Sequence, residues 1–136
     1  MKKQVKTIAY YKAKLDKVFS EYIRLRDADD NGHVRCISCN KFVTWKQADC
    51  GHYVNRQHMA LRYDEKNCNA QCRYCNRFCE GNMIGYNEGL IKKYGSDVIE
   101  YLKIKKHNEC RFTAVEYQLL INMYSNKVKE LKQQKA

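Results

Sequence analysis

Four cysteines set in two Cys-x-x-Cys turns constrain this chain more than any other feature. Cys36 and Cys39 form the first pair, in CISC, and Cys72 and Cys75 the second, in CRYC. Each turn presents two thiolates to one ion, and two turns complete the tetrahedral four-sulfur shell that zinc prefers. Such a shell has no open position, so the expected Zn²⁺ is structural, one per chain. Residues 40–71 lie between the pairs, which leaves room for a hairpin and a loop.

The rest of the composition says what such a knot would hold together. The chain has 136 residues, 44% of them hydrophobic, which suits one domain over 1–136 with a modest core. Lys and Arg number 26 against 15 Asp and Glu, a net charge of +11. That excess points to a polyanionic partner, nucleic acid ahead of a membrane surface; the plainer alternative is lysines that simply face water. The N-terminal stretch MKKQVKTIAYYKAKLDK has charges but no apolar core of a signal peptide, and no apolar run is long enough to span a bilayer. The expectation is a cytoplasmic protein without a membrane partner. In a reducing compartment eight cysteines argue for metal ligation over disulfides. Cys50, Cys68, Cys79 and Cys110 have no paired spacing and read as small buried apolar groups.

Proline is absent, so breaks are read from Gly, Asn and Asp. Ile8, Tyr11, Leu15, Val18, Tyr22 and Leu25 recur at helical spacing over residues 7–27, and the run DADDNG at 27–32 ends that helix. VRCIS and KFVTW read as short strands, and Leu61–Tyr63 as a further one closing a polar connection. A helix is expected around the second cysteine pair. Further helices are expected over 88–94, stopped by Gly95, and over 97–105, with Asp97 and Glu100 in capping-box positions. Thr113 and Glu116 form a second box, opening a long helix with Tyr117, Leu120, Tyr124, Val128 and Leu131 on one face. The architecture is α+β, with an N-terminal helix within 1–30, a zinc-bound core over 31–84 and a helical region over 85–136.

Chemistry concentrates in the core. His52 closes the run Asp49-Cys50-Gly51-His52, Asn67 stands five residues before Cys72, and Asn76 follows Cys75 directly. This order of His, Asn and CxxC-Asn resembles the His-metal finger nucleases, also called HNH or ββα-metal endonucleases. The resemblance implies a small ββα-metal core flanked by helices. It implies His52 as general base, Asn67 as the brace of the loop around it, and Asn76 as a ligand of a catalytic divalent cation, Mg²⁺ or Mn²⁺. Many members carry Asp directly before the base; here Gly51 stands there, and Asp49 is left to meet the cation directly or through water. Cys79 stands where the pattern often has a basic residue. The wider run CISC, DCGHY, LRYDEKN, QCRYCN, GN, YNEGL and RFTAVEY, over roughly 10–131, is similar to the NinG/Rap family of lambdoid phage recombination proteins. Membership implies a structure-directed DNA endonuclease acting on branched intermediates, four-way junctions and D-loops.

The expected chemistry also stands on elementary grounds. Neutral His52 could take a proton from water, since an imidazole titrates near working pH. A hard cation at Asn76, with Asp49 and waters, would stabilise the phosphorane and the departing 3′ oxygen. Arg56 and Arg62 are the candidate phosphate clamps, as planar donors near the motif, though either could equally be a surface arginine. A four-way junction has near two-fold symmetry and paired cuts need two sites, so a homodimer through the terminal helices is the expectation. The rival reading is a non-catalytic zinc-knuckle nucleic-acid-binding protein or recombination adaptor, with the same cysteines and charge but no need for His52 and Asn76.

Overall fold

The computed structural model describes residues 5–135. Residues 1–4, the start of the stretch read for a leader and of the N-terminal segment, lie outside them. The chain is mixed α+β, with two two-stranded sheets and helices around them.

Helix α1 spans Ile8–Arg26 and is capped by Thr7, whose hydroxyl accepts the Tyr10 amide proton at 3.1 Å. Strands β1 (His33–Arg35) and β2 (Phe42–Thr44) pair antiparallel, and the loop between them carries Cys36 and Cys39. Strand β3 (Ala48–His52) pairs antiparallel with β4 (Cys68–Cys72), in the register Ala48 to Cys72 and His52 to Cys68. Between them lies a short helix α2, Met59–Arg62. A π-helical turn over Tyr74–Phe78 follows β4, and then come α3 (Met83–Tyr94), α4 (Val98–Lys105) and α5 (Ala114–Gln134). No described helix is long and apolar enough to cross a membrane.

The periodic face of α1 packs on α5. Leu15, Phe19, Tyr22 and Ile23 meet Tyr117, Ile121, Tyr124 and Val128, with the Phe19 and Tyr124 rings edge to face at 5.0 Å. Cys68 of β4 closes this core from the sheet side, so the terminal helices form the floor beneath β3 and β4. Glu65 ties the layers by accepting the hydroxyl protons of Tyr22 and Tyr124. A second core, Leu61, Tyr86, Leu90, Val98 and Leu102, seats α2 on α3 and α4. Asp27 links three elements: it pairs with Arg26 and Lys93 and accepts the Ala70 amide proton of β4.

Four local expectations are corrected. Of the unpaired cysteines only Cys68 is buried; Cys50, Cys79 and Cys110 are half-buried. Residues 59–62 are helical and lead into Tyr63 without a strand, because Met, Ala, Leu and Arg are good helix formers and the Leu61 amide bonds back to His58. Helix α3 starts at Met83, ahead of Glu88. Its glycines lower helix propensity yet are needed for packing: a Cβ on Gly85 would lie 2.2 Å from the Ser38 carbonyl oxygen, and one on Gly89 2.0 Å from that of Ile37. The helix therefore sits directly on the backbone of the first cysteine turn. Asp97 makes no side-chain cap, since its backbone is already helical at φ −82° and ψ −10°; the Thr113–Glu116 box is formed in full.

Candidate active site

The cysteine cluster is assembled by the two turns and the β3–β4 ladder. The thiols of Cys36, Cys39, Cys72 and Cys75 lie within 4.8 Å of one another, three of them buried and Cys39 exposed. The Cys75 amide and the Asn82 side-chain amide each point an N–H at a sulfur, Cys72 and Cys75 respectively, at 3.4 Å. A set of four soft donors with N–H groups aimed at the sulfurs can hold a metal ion. All eight cysteines are free thiols.

His52 stands at the other end of the same ladder. Its Nε2 lies 3.0 Å from the Arg62 carbonyl oxygen. A carbonyl only accepts, so Nε2 carries the proton and Nδ1 keeps the lone pair. Burial pulls the imidazole below its ordinary pKa; the hydrogen bond to Arg62 opposes this, and the positive charges of Arg62 and Arg56 add to it. The ring is therefore neutral at neutral pH. Cys50 and Cys68 lie within 4.8 Å of it, and burial, together with the Cys50 thiol, pushes Cys68 well above the usual thiol range.

The carbonyl that fixes His52 is itself held. Arg62 donates from Nε to Asp16 of α1 at 2.8 Å and from Nη1 to the Arg56 carbonyl at 3.2 Å. Tyr63 adds a hydroxyl bond to Asp16 at 2.7 Å. Burial alone would raise the Asp16 carboxyl, but the Arg62 and Tyr63 bonds outweigh it and hold the group below its ordinary value. The Arg62 guanidinium is thus committed to an ion pair inside the protein, while the Arg56 guanidinium has no such partner among the described residues.

Asn67 is fully buried and spans the loop between β3 and β4. Its Oδ1 accepts from the Val54 amide at 2.8 Å, and its Nδ2 donates to the Val54 and Leu61 carbonyls at 3.0 and 3.1 Å. Tyr86 of α3 reaches in from behind and donates to the Gly51 carbonyl at 2.7 Å. Gly51 has no room for a side chain, since a Cβ there would stand 2.1 Å from Gln71 Oε1.

Asp49 and Asn76 are in contact, the Asn76 Nδ2 donating to Asp49 Oδ2 at 2.9 Å. Asn76 Oδ1 accepts no hydrogen bond among the described residues. Arg77 donates from Nε and Nη2 to both carboxylate oxygens of Asp49 at 2.9 Å, and Arg73 stands 3.9 Å away. Asp49, His52, Arg56, Arg62, Asn76, Arg77 and Asp16 line one open cleft of about 720 Å³. Asn67 lies behind its wall. Asp16, Tyr63, Tyr86, Arg73 and Arg77 were not singled out by sequence reasoning. Arg73, inside the second cysteine turn, and Arg77, directly after Asn76, carry a local signal; Asp16, Tyr63 and Tyr86 act across long sequence separations.

A four-thiol cluster at one end of a two-stranded ladder and an arginine-lined cleft running along it from Asp49 to His52 define a small cysteine-rich α+β protein with a candidate metal centre. The chain belongs to the NinG family of lambdoid phage proteins. The family model described as Bacteriophage Lambda NinG protein matches residues 1–134. Protein ninG of Escherichia phage 933W is 31% identical over 133 residues, which cover 97% of this chain and 63% of that protein. Protein ninG of Escherichia phage lambda is 30% identical, over 97% of this chain and 62% of its own length. That of Salmonella phage P22 is 30% identical, over 97% and 63%. The chain spans less than two thirds of the length of these relatives. No solved structure matches it.

Proposed function

We propose that the chain is a metal-dependent DNA endonuclease that cuts branched recombination intermediates, with four-way junctions and D-loops as the substrate class. The observation that carries this reading is the neutral His52, its lone pair on Nδ1, in one cleft with the Asp49–Asn76 pair. The net charge of +11 and the likeness to His-metal finger nucleases support DNA as the substrate.

In this reading Nδ1 of His52 takes the proton of the attacking water, a contribution on the order of 10²–10⁴ in rate. The Arg62 carbonyl holds the imidazole in the required tautomer and accepts the Nε2 proton more strongly as Nδ1 becomes protonated. Asp16 and Asn67 are positioning residues, one fixing the segment that carries that carbonyl and the other the loop behind it. Arg56 at the cleft neutralises phosphate charge, while Arg62 lends its field without leaving Asp16.

Asp49 and Asn76 carry the oxygen donors a hard cation takes, and Asn76 Oδ1 accepts no other bond among the described residues. A cation there would displace Arg77 from Asp49 and turn the Asn76 amide, whose Nδ2 now meets Asp49, so that its oxygen faces the ion. They would hold Mg²⁺ or Mn²⁺, with Asp49 ligating directly or through water. When bound, such a cation supplies charge stabilisation at the phosphate and the leaving 3′ oxygen. The four cysteines fit Zn²⁺ as a folding element, given their spacing and the N–H groups aimed at two of the sulfurs. A homodimer would supply two cuts at one junction.

One observation favours the rival, a non-catalytic zinc-knuckle DNA-binding or recombination adaptor protein. Arg77 already occupies both oxygens of Asp49, as an internal cation would. The separating experiment is incubation of a synthetic four-way junction, a linear duplex and a single strand with Mg²⁺ or Mn²⁺. The endonuclease reading expects junction nicking by the wild type and none by His52→Ala, with junction binding unchanged. Junction binding without nicking in either metal would give the field to the adaptor.

A further inference from the structure

The π-helical turn that carries Asn76 and Arg77 also carries two large aromatic side chains that the cleft does not use. Tyr74 and Phe78 are 66% and 76% exposed. Their rings lie 6.3 Å apart and within 29° of parallel, a loose stack that leaves ring surface open to solvent. Neither ring belongs to any of the buried cores, and Tyr74 donates no hydrogen bond among the described residues. Exposing two neighbouring aromatics has a cost in solubility and nothing inside the fold offsets it.

The neighbouring residues say what could cover them. Arg73 and Arg77 precede Tyr74 and Phe78 by one position each, so the turn presents a basic stripe beside an aromatic stripe. Both arginines are about half exposed, and both face Asp49 at the cleft. A flat π-surface next to guanidinium groups is the arrangement that binds an unstacked nucleobase and the phosphate attached to it. A protein partner would be served by the rings but not by two arginines that already point towards a phosphate-binding cleft.

We infer that Tyr74 and Phe78 form a stacking platform for an unpaired or splayed DNA base, and that this platform makes the cleft prefer branched over fully paired DNA. The inference rests on the DNA reading above and deepens it. A continuous duplex keeps its bases stacked inside and offers the rings only its edges. A branch point or a single-stranded end frees a base to lie on them while the adjoining phosphate enters the cleft beside Arg77.

The test is equilibrium binding without added divalent cation, so that nothing is cut. The probes are a four-way junction with 2-aminopurine at the branch, an oligothymidine strand and a fully paired duplex. Tyr74→Ala and Phe78→Ala should each weaken junction and single-strand binding by about 5- to 150-fold, with duplex binding changed by less than about 2-fold. The 2-aminopurine signal that wild-type protein perturbs should be unperturbed by the double variant. Tyr74→Leu and Phe78→Leu, which keep apolar area but lose the ring, should fail as alanine does, while Tyr74→Trp should bind at least as well as wild type. Equal losses on all three probes, no loss on any, or full binding by the leucine variants would overturn the inference. So would a change of oligomeric state in the alanine variants with base-dependent binding intact, which would make the rings a surface between copies. The outcomes separate from those of the nuclease reading. A wild type that cuts junctions while the alanine variants bind them normally keeps the nuclease and removes the platform. Lost branch binding in the variants, with a wild type that never cuts, does the reverse.

Discussion

The two ends of the β3–β4 ladder are ordered by different physics. At the Ala48–Cys72 end, four thiols from two short turns converge within 4.8 Å, and α3 rests its glycines on the first turn. At the His52–Cys68 end, Cys50 and Cys68 lie within 4.8 Å of the imidazole, but hydrogen bonds from other elements set its geometry. The imidazole is held by a carbonyl, the carbonyl's residue by Asp16 of α1 across 46 positions, and the loop by Asn67. A site made by ligation depends on one bonding event and fails all at once. A site made by a chain of hydrogen bonds loses geometry by degrees, with each link worth a kilocalorie or two.

That contrast predicts graded consequences. Cys36→Ser should have the largest effect. A structural zinc contributes on the order of 10 kcal/mol, comparable to the whole stability of a domain. The variant should be unfolded or aggregated, and wild-type protein should carry one zinc per chain by metal analysis. Zinc-free protein that keeps its fold in chelator would erase the difference between the two ends.

Asp16→Ala comes next. It leaves Arg62, a residue about nine-tenths buried, without its carboxylate and the Tyr63 hydroxyl with only its longer bond to the Lys12 carbonyl. The expected loss is about 2–3 kcal/mol in urea unfolding, below the figure for a fully enclosed pair because Asp16 retains some contact with water. Zinc content should not change. On the endonuclease reading, junction nicking should fall with binding intact, since Arg62's carbonyl no longer fixes His52. A variant as stable and as active as wild type would mean that α1 does not support the cleft.

Asn67→Ala should cost about 1–3 kcal/mol, because it strips partners from the Val54 amide and the Val54 and Leu61 carbonyls in a buried loop. Hydrogen exchange should speed up at Val54 and leave the Cys36–Cys39 turn protected. Faster exchange at both ends of the ladder would show that the two regions are one cooperative unit.

The same contrast explains what could be read without a structure. The cysteine turns, the face of α1 and the Thr113 cap are set by residues a few positions apart, and period and spacing expose such features directly. The cysteine cluster forms as its spacing implies. The environment of His52 depends on Asp16 meeting Arg62, a pairing that no local pattern encodes. The first turns of α3 are hidden from the pattern because Gly85 and Gly89 serve contact with Ser38 and Ile37, against their own propensity. Arg62 looks like a free cation in the sequence; only the fold supplies the carboxylate that occupies it.

The smallest effect is a pH dependence confined to the cleft end. Burial lowers the pKa of His52 in the folded protein below its ordinary 6.5. Above that value the imidazole is neutral in both states and contributes nothing to the pH dependence of stability. As pH falls through 6.5 the unfolded chain gains a proton that the folded one refuses, so stability drops until the folded pKa is passed. The slope for one proton is at most about 1.4 kcal/mol per pH unit. Cysteine protonation and zinc release also act at low pH, so wild type must be compared with His52→Ala, which keeps all four thiols. The difference in unfolding free energy between the two should be flat from pH 8 to about 6.5 and should shrink below it, because only the wild type loses this contribution. A difference that stays constant to pH 5, with zinc retained in both, would mean that His52 titrates like a solvent-exposed imidazole. On the endonuclease reading, the proposed base would then be charged through the mildly acidic range, and junction nicking would lose rate from pH 6.5 downward instead of holding to lower pH.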